Sequence, residues 1–294
     1  MFSTDEQCRA LLRRLRWPNG VTCLRCQSKR TFEVRTERKF QCVDCGYQFS
    51  VLTQTIFHDT HLPLETWFMA VLLIVEARKG MSANQIKRTL GIGSYKTAWY
   101  LCHRIRRAMS EAERPLLDGT VEMDETYVGG KGRGKGIHKR GRGTDKEIVI
   151  GIRQRGGALR FFHAEDVKSG TLAKYMKENI STDVDVIVTD DFGAYPAAIR
   201  KRKIATEHKT VKHSAGEYVV GDIHTNSIES AFSLLKRGII GTWHKISAKH
   251  LQSYLDEMTF RFERRKRPDL FLDTLRHMIT ADPLTFENLT KDAA

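Results

Sequence analysis

Three carboxylates have the surroundings that metal-dependent phosphoryl chemistry needs: Asp124 in TVEMDETYV, Asp190 in DVDVIVTDD and Glu229 in SIESAFSLLKRGI. An acidic residue taken alone is usually a surface charge or a helix cap. Asp124 and Asp190 instead follow apolar residues of strand-like stretches, where a solvated charge is uncommon. Carboxylates from separate elements can converge to hold two magnesium or manganese ions about 3.5–4 Å apart. One ion then activates a water or a 3′-hydroxyl, and the other stabilises the leaving oxygen. The neighbouring acids are weaker candidates. Strand alternation puts Glu122 on the face of Asp124, but Glu125 and Asp191 on the opposite face.

A second metal chemistry is written in the cysteines. Cys23 and Cys26 form one CxxC pair and Cys42 and Cys45 another, with fifteen residues between the pairs. Two such turns supply four tetrahedral thiolates, a closed structural zinc site with no open position for substrate. Thr31 to Val34 and Lys39 to Gln41 read as a short hairpin between them, and Gly46 allows the tight backbone of a metal knuckle. So small a segment has little core, so one zinc ion is expected to supply its folding energy. Cys8 and Cys102 stand apart, and Cys102 reads as a small core residue.

The acids must be positioned by a larger scaffold. From about Gly119 the sequence reads as three strands (TVEMDETYV, EIVIGIRQ and ALRFFHA), a helix (SGTLAKYMKENI), a strand ending in Asp190, a helix (AYPAAIRKRK), a strand near His208 to Val211, and an amphipathic helix carrying Glu229. That is the order of an RNase H-like fold, a mixed sheet with flanking helices. Ahead of it, a helix follows Pro63, and SANQIKRTLG has capping-box spacing between Ser82 and Gln85. A helix from about Ser94 to Met109 then has Ala98, Leu101, Cys102, Ile105 and Met109 on one apolar stripe. Its cations Lys96, Arg104, Arg106 and Arg107 lie mostly off that stripe, as in a helix-turn-helix that binds DNA. The expected division is a zinc ribbon at 1–55, a helical DNA-binding segment at 56–116, the catalytic domain at 117–267 and a tail at 268–294.

Charge points to the partner. Forty-nine Lys and Arg against 35 Asp and Glu leave +14, which suits a polyanion whose counterions are released on contact. The segment GGKGRGKGIHKRGRGTDK holds seven Gly and seven Lys or Arg. It cannot build a core and is expected to close on DNA through Lys131, Arg133 and Lys135. Local hydrogen bonding is the expected use of His208, His213 and His224, and packing that of Trp243. The RFERRKR run reads as a phosphate contact or a charged helix end. The longest apolar stretch, Trp67 to Val75, is too short to span a bilayer, so no membrane role is expected. The start has no apolar core behind a basic patch, so the default location is the cytoplasm, at the nucleoid when DNA is bound.

Together the zinc ribbon, VEMDETYVGGKGRGKG, VTDDFGAY and the block KHSAGEYVVGDIHTNSIESAFSLLKRGIIGTWHKISAKHLQSYLDEMTFRF resemble prokaryotic insertion-sequence DDE transposases of the ISXO type, over about residues 5 to 267. The resemblance implies cutting and joining of DNA at the element's terminal inverted repeats, with double-stranded element ends and target DNA as partners and a homo-oligomer on DNA. It implies Asp124 and Asp190 as the first two metal-binding acids, a third member from the Asn226–Glu229 pair, and Lys236 as the basic residue that follows. Lys236 lies seven residues beyond Glu229, on the same helical face. Asn226 and Glu229 also have the spacing of a capping pair, so either can be the ligand with the other its partner. Charge favours Glu229, because two aspartates leave much of the charge of two divalent ions uncompensated. An RNase H-like nuclease without strand transfer would use the same acids. A non-enzymatic zinc-ribbon regulator would be free to lose them.

Overall fold

A computed structural model describes residues 4–111, 113–129, 146–202, 207–211 and 224–291. The chain divides into two units, Met1–Ser110 with Arg264–Ala294, and Glu111–Glu263.

The first unit opens with helix α1 (Asp5–Arg16), which the sequence reading did not anticipate. The Thr4 hydroxyl caps it, accepting from the Gln7 N–H at 3.3 Å. A small antiparallel sheet of β1 (Thr31–Val34), β2 (Lys39–Cys42) and β3 (Gln48–Phe49) follows. Its core is little more than Phe40, Phe49, Trp17 and the cysteines, as expected of a segment that depends on a metal.

Helices α2 (Leu64–Glu76), α3 (Ala83–Thr89) and α4 (Tyr95–Ala108) come next. Ser82 caps α3 through the Gln85 N–H at 3.2 Å, and Gly91, at φ 65°, turns the chain towards α4. The stripe of Ala98, Leu101, Cys102, Ile105 and Met109 is buried as expected.

Residues 268–294 are not a separate tail. Helices α9 (Leu270–Thr280) and α10 (Phe286–Thr290) belong to this first unit, and α9 packs on α1, α2 and α4. The Tyr100 hydroxyl donates to the Leu284 carbonyl, and the Phe286 ring meets Trp99 and Tyr100 edge-on.

The second unit is a five-stranded sheet. Its strands are β4 (Thr120–Val128), β5 (Glu147–Gln154), β6 (Leu159–Ala164), β7 (Val186–Asp190) and β8 (Glu207–Val211), in the order β6-β5-β4-β7-β8. The β4–β5 and β5–β6 pairs are antiparallel, whereas β4–β7 and β7–β8 are parallel. This is the RNase H-like arrangement.

Helices α5 (Ser169–Asn179) and α6 (Ala194–Arg202) cover one face, where Val121, Met123, Ile152 and Ile187 meet Leu172, Met176 and Tyr195. Helices α7 (Asn226–Gly238) and α8 (Ala248–Arg264) cover the other, where Val149 and Phe161 meet Ile228, Phe232, Leu235 and Leu255. Strand alternation therefore sends Val121 and Met123 into the first core and leaves Glu122 and Asp124 on the face of α7. None of the helices among the described residues is long and apolar enough to cross a membrane.

Candidate active site and metal centres

The cysteine site is built from two matching knuckles. The Gln27 N–H donates to the Cys23 carbonyl and the Gly46 N–H to the Cys42 carbonyl, each at 3.0 Å. Gln27 and Gly46 both take left-handed backbone, with φ 61° and 68°. The glycine at the second knuckle does this without strain, as its position in the sequence suggested. Cys23 Sγ lies 3.6 Å from Cys45 Sγ, and Cys26 Sγ lies 3.5 Å from Cys42 Sγ. All four sulfurs fall within 4.8 Å of one another, the only such group of possible ligands among the described residues. A tetrahedron of thiolates at ~2.3 Å from zinc has edges of ~3.8 Å, so the four cysteines fit that ion.

The acids come together by a longer route. In the parallel ladder Glu122 pairs with Val188, its last pair, and Asp124 and Asp190 each lie two residues beyond it on adjacent strands. Helix α7 crosses the same face and brings Glu229. The Asp124 carboxyl, on a half-buried residue, is pushed up to about 7. Burial is the main cause, then the charge of Glu125, with smaller contributions from Asp190 and Glu229. The Glu125 N–H opposes the shift by donating to Asp124 Oδ1 at 2.8 Å. Asp190 accepts from the Phe192 N–H at 3.1 Å. Glu125 lies on the other face, as alternation requires, and accepts from the buried Tyr195 hydroxyl at 2.7 Å.

The start of α7 departs from expectation. Asn226 is the first residue of the helix and is exposed, and Thr225 occupies the cap position. No capping pair joins Asn226 to Glu229. The Thr225 hydroxyl instead donates to Glu229 Oε1 at 2.8 Å. Capping comes from the sheet: Glu122, fully buried, accepts from the Ile228 N–H at 2.9 Å. A carboxylate is favoured there because the first turn presents unpaired N–H groups and the positive end of the helix dipole. Arg155 neutralises it, with Nε 2.8 Å from Glu122 Oε1, and also donates to the His224 carbonyl at 2.9 Å. Arg153 donates to the Ser227 carbonyl.

Gly151, the β5 partner of Asp124, completes the seat of α7. A Cβ there would meet Ile228 Cδ1 and Phe232 Cζ, each at 2.7 Å, so only glycine lets the helix lie this close to the sheet. The sequence by itself does not single out Glu122, Arg155 and Gly151 as positioning residues. Its available signals were an acid two residues before Asp124 on the same strand face and a glycine inside the apolar strand EIVIGIRQ.

The other expected residues divide. Lys236 is exposed on α7, two turns beyond Glu229. On α4, Lys96 and Arg107 are exposed, but Arg104 and Arg106 are buried at 4% and 1% exposure, which corrects their expected place on an open basic face. The Arg104 guanidinium lies over the Trp67 ring at 4.9 Å and donates to the His58 carbonyl. The C-terminal helices packed around α4 leave it little free surface, and the sequence reading had assigned them no role. Lys131, Arg133 and Lys135, with the rest of their glycine-rich segment, lie outside the described residues, as does His213. His208 hydrogen-bonds Thr189 Oγ1 at 3.0 Å, and Trp243 packs edge-on against Tyr254. The RFERRKR run is a charged helix end: Arg264 pairs with Asp273, and Arg267 with Asp269 and Asp273.

An RNase H-like sheet bearing these acids, in a chain that also carries a four-cysteine ribbon, defines a DDE-type transposase. Family models agree: an ISXO2-like transposase domain matches residues 116–263 and a transposase zinc-ribbon domain matches residues 3–48. The chain belongs to the ISXO2-like transposase family. It is 33% identical over 289 residues to an uncharacterized protein in transposable element ISH50 of Halobacterium salinarum, covering 91% of this chain and 94% of that protein. Among solved structures it is similar to the Mos1 strand transfer complex, at 11% identity over 72% of this chain and 74% of that one, with a TM-score of 0.31. The pre-cleavage Mos1 transpososome gives 12% identity, 71% and 77% coverage and a TM-score of 0.27. Likenesses this distant assign no residue.

Proposed function

We propose that this transposase binds the terminal inverted repeats of its insertion sequence as a homo-oligomer, cleaves the DNA ends and joins them to target DNA. What carries the reading is the placement of β4, β7 and α7, which puts Asp124, Asp190 and Glu229 towards one sheet face, around an Asp124 carboxyl raised chiefly by burial and Glu125 and less by Asp190 and Glu229. A divalent cation would favour the ionised form of a buried carboxyl beside other acids, so an all-oxygen donor set of this kind fits magnesium or manganese. Two bound ions would supply Lewis acidity to the attacking and leaving oxygens. Asp124 and Asp190 would hold them from adjacent strands and Glu229 from α7, with its carboxylate oriented by Thr225. Asn226, exposed one turn earlier, would contact a metal-bound water or the DNA. Lys236 would bind a phosphate further along the same helix face.

Cys23, Cys26, Cys42 and Cys45 would hold one structural zinc ion, and the ribbon would contribute to DNA binding. The exposed Lys96 and Arg107 remain candidate phosphate contacts, with Lys131, Arg133 and Lys135. Arg104 and Arg106 do not. Incubating the protein with magnesium, a duplex carrying the repeats that flank its gene, and a target plasmid tests the reading. Cleaved ends joined covalently to the plasmid are expected. Nicking without joining would identify a nuclease, and binding without nicking a regulator.

A further inference from the structure

Helix α7 does not end at Gly238 but runs into a π-helical turn, Ile239–Trp243. Such turns widen the helix and are common at functional sites. Two contacts hold this one. Trp243 is buried and packs edge-on against Tyr254 with ring centroids 5.0 Å apart. His244, in left-handed backbone at φ 57°, closes the turn by donating its N–H to the Ile239 carbonyl at 2.7 Å. With Trp243 anchored inside, Ile240 is held outside. At 75% exposure it is the most exposed large apolar side chain among the described residues.

Its surroundings indicate what it meets. Glu229, Ser233 and Lys236 recur at i, i+4 and i+7 on one stripe of α7, and Ile240 follows in the π turn at its end. Lys236, Arg237, Lys245 and Lys249, within nine residues of it in sequence, are all exposed, and the chain carries no acidic residue between Glu229 and Asp256. A protein interface would surround an apolar anchor with further apolar surface and few charges. An exposed aliphatic side chain in a stretch that carries exposed lysine and arginine and no acid suits duplex DNA, whose phosphates meet the cations while the aliphatic group enters between base pairs.

We propose that Ile240 is a wedge that unstacks the DNA duplex near the cleavage site, with Arg237, Lys245 and Lys249 gripping the flanking phosphates. This rests on the assignment of the acid site to DNA cleavage. Eleven residues of helix span ~16 Å, so the distortion should fall within about five base-pair steps of the scissile phosphate.

A set of inverted-repeat duplexes, each with 2-aminopurine at one position near the end, tests this. Binding of the wild-type protein should raise fluorescence at one or two adjacent positions in that window. Ile240→Ser, at an exposed site that fold stability does not depend on, should lose that rise and cut intact ends about 10- to 100-fold more slowly. Ile240→Leu should retain both, and ends synthesised with unpaired bases at the same step should restore cleavage by Ile240→Ser. Equal fluorescence and cutting by wild type and Ile240→Ser would overturn the wedge and leave the cleavage assignment intact. A change of oligomeric state in Ile240→Ser without DNA would make the residue a protein contact and also overturn it. Failure of the wild-type protein to cut either paired or unpaired ends would remove the cleavage assignment itself.

Discussion

The cysteine site and the acid site are both candidate cation sites, but they are assembled in opposite ways. The four thiols come from two turns within a short stretch of chain, each closed by its own backbone hydrogen bond, and their sulfurs are already at zinc-site spacing. The acids come from two strands and a helix, and among the described residues no three carboxylates share the close spacing of the sulfurs. Local spacing preorganises a structural site. The proposed acid site, which would admit DNA and two ions, instead depends on the scaffold to bring its carboxylates near one another. The comparison teaches that the cysteine site should fail by losing a ligand, whereas the acid site should also fail when a residue that only seats a helix is changed.

The largest expected effect is on the acids. Glu229→Gln or Asp190→Asn should abolish end cleavage at unchanged thermal stability, because the amide keeps shape and loses the charge that holds the cation. Asn226→Ser should retain measurable cleavage. The reverse pattern in a gel assay, an active Glu229→Gln and a folded but inactive Asn226→Ser, would make Asn226 the third member.

Next comes the ribbon. Cys42→Ser should reduce bound zinc from one equivalent to near none by metal analysis and weaken DNA binding, while magnesium titration of the acid site stays unchanged. Altered magnesium binding would break the claimed independence of the two sites.

Gly151→Ala should be milder. The added methyl pushes Ile228 and Phe232 away, so α7 rides higher on the sheet. Overpacking of this kind costs ~1–3 kcal/mol of stability. The displaced Glu229 should slow cleavage by about 10- to 100-fold, since a misplacement of about 1 Å is enough for that. DNA affinity should hardly change. A rate equal to wild type would mean that the close seat of α7 does not position Glu229.

The smallest effect is on pH dependence. Asp124 in the folded protein titrates at about 7, above its ordinary 3.8. Without metal, the folded state therefore holds this proton more tightly than the unfolded chain. Its stabilising contribution is complete below about pH 4 and declines as pH rises through about 7. The Tm of metal-free protein should fall over that window, Asp124→Asn should flatten the fall, and excess magnesium should oppose it by favouring the carboxylate. A Tm in metal-free protein that rises over the same window and is indifferent to Asp124→Asn would remove the crowding argument.

Much of this was legible from the chain alone. The CxxC spacing, the glycine after Cys45 and the order of strands and helices each depend on neighbours a few residues away, so sequence specified the ribbon and the RNase H-like sheet. The strand faces of Asp124, Glu122 and Glu125 followed from period two. What the tertiary structure decided depends on partners far along the chain. Burial of Arg104 required the His58 carbonyl and the Trp67 ring, about forty residues earlier in the chain, to lie against α4. Transfer of the cap of α7 from Asn226 to Glu122 required a strand about a hundred residues earlier to meet the helix start. A buried carboxylate offers a full charge to those N–H groups and an exposed amide does not. The closeness of α7 to the sheet depends on a missing side chain at Gly151, and the need for that absence is visible only once Ile228 and Phe232 lie against it.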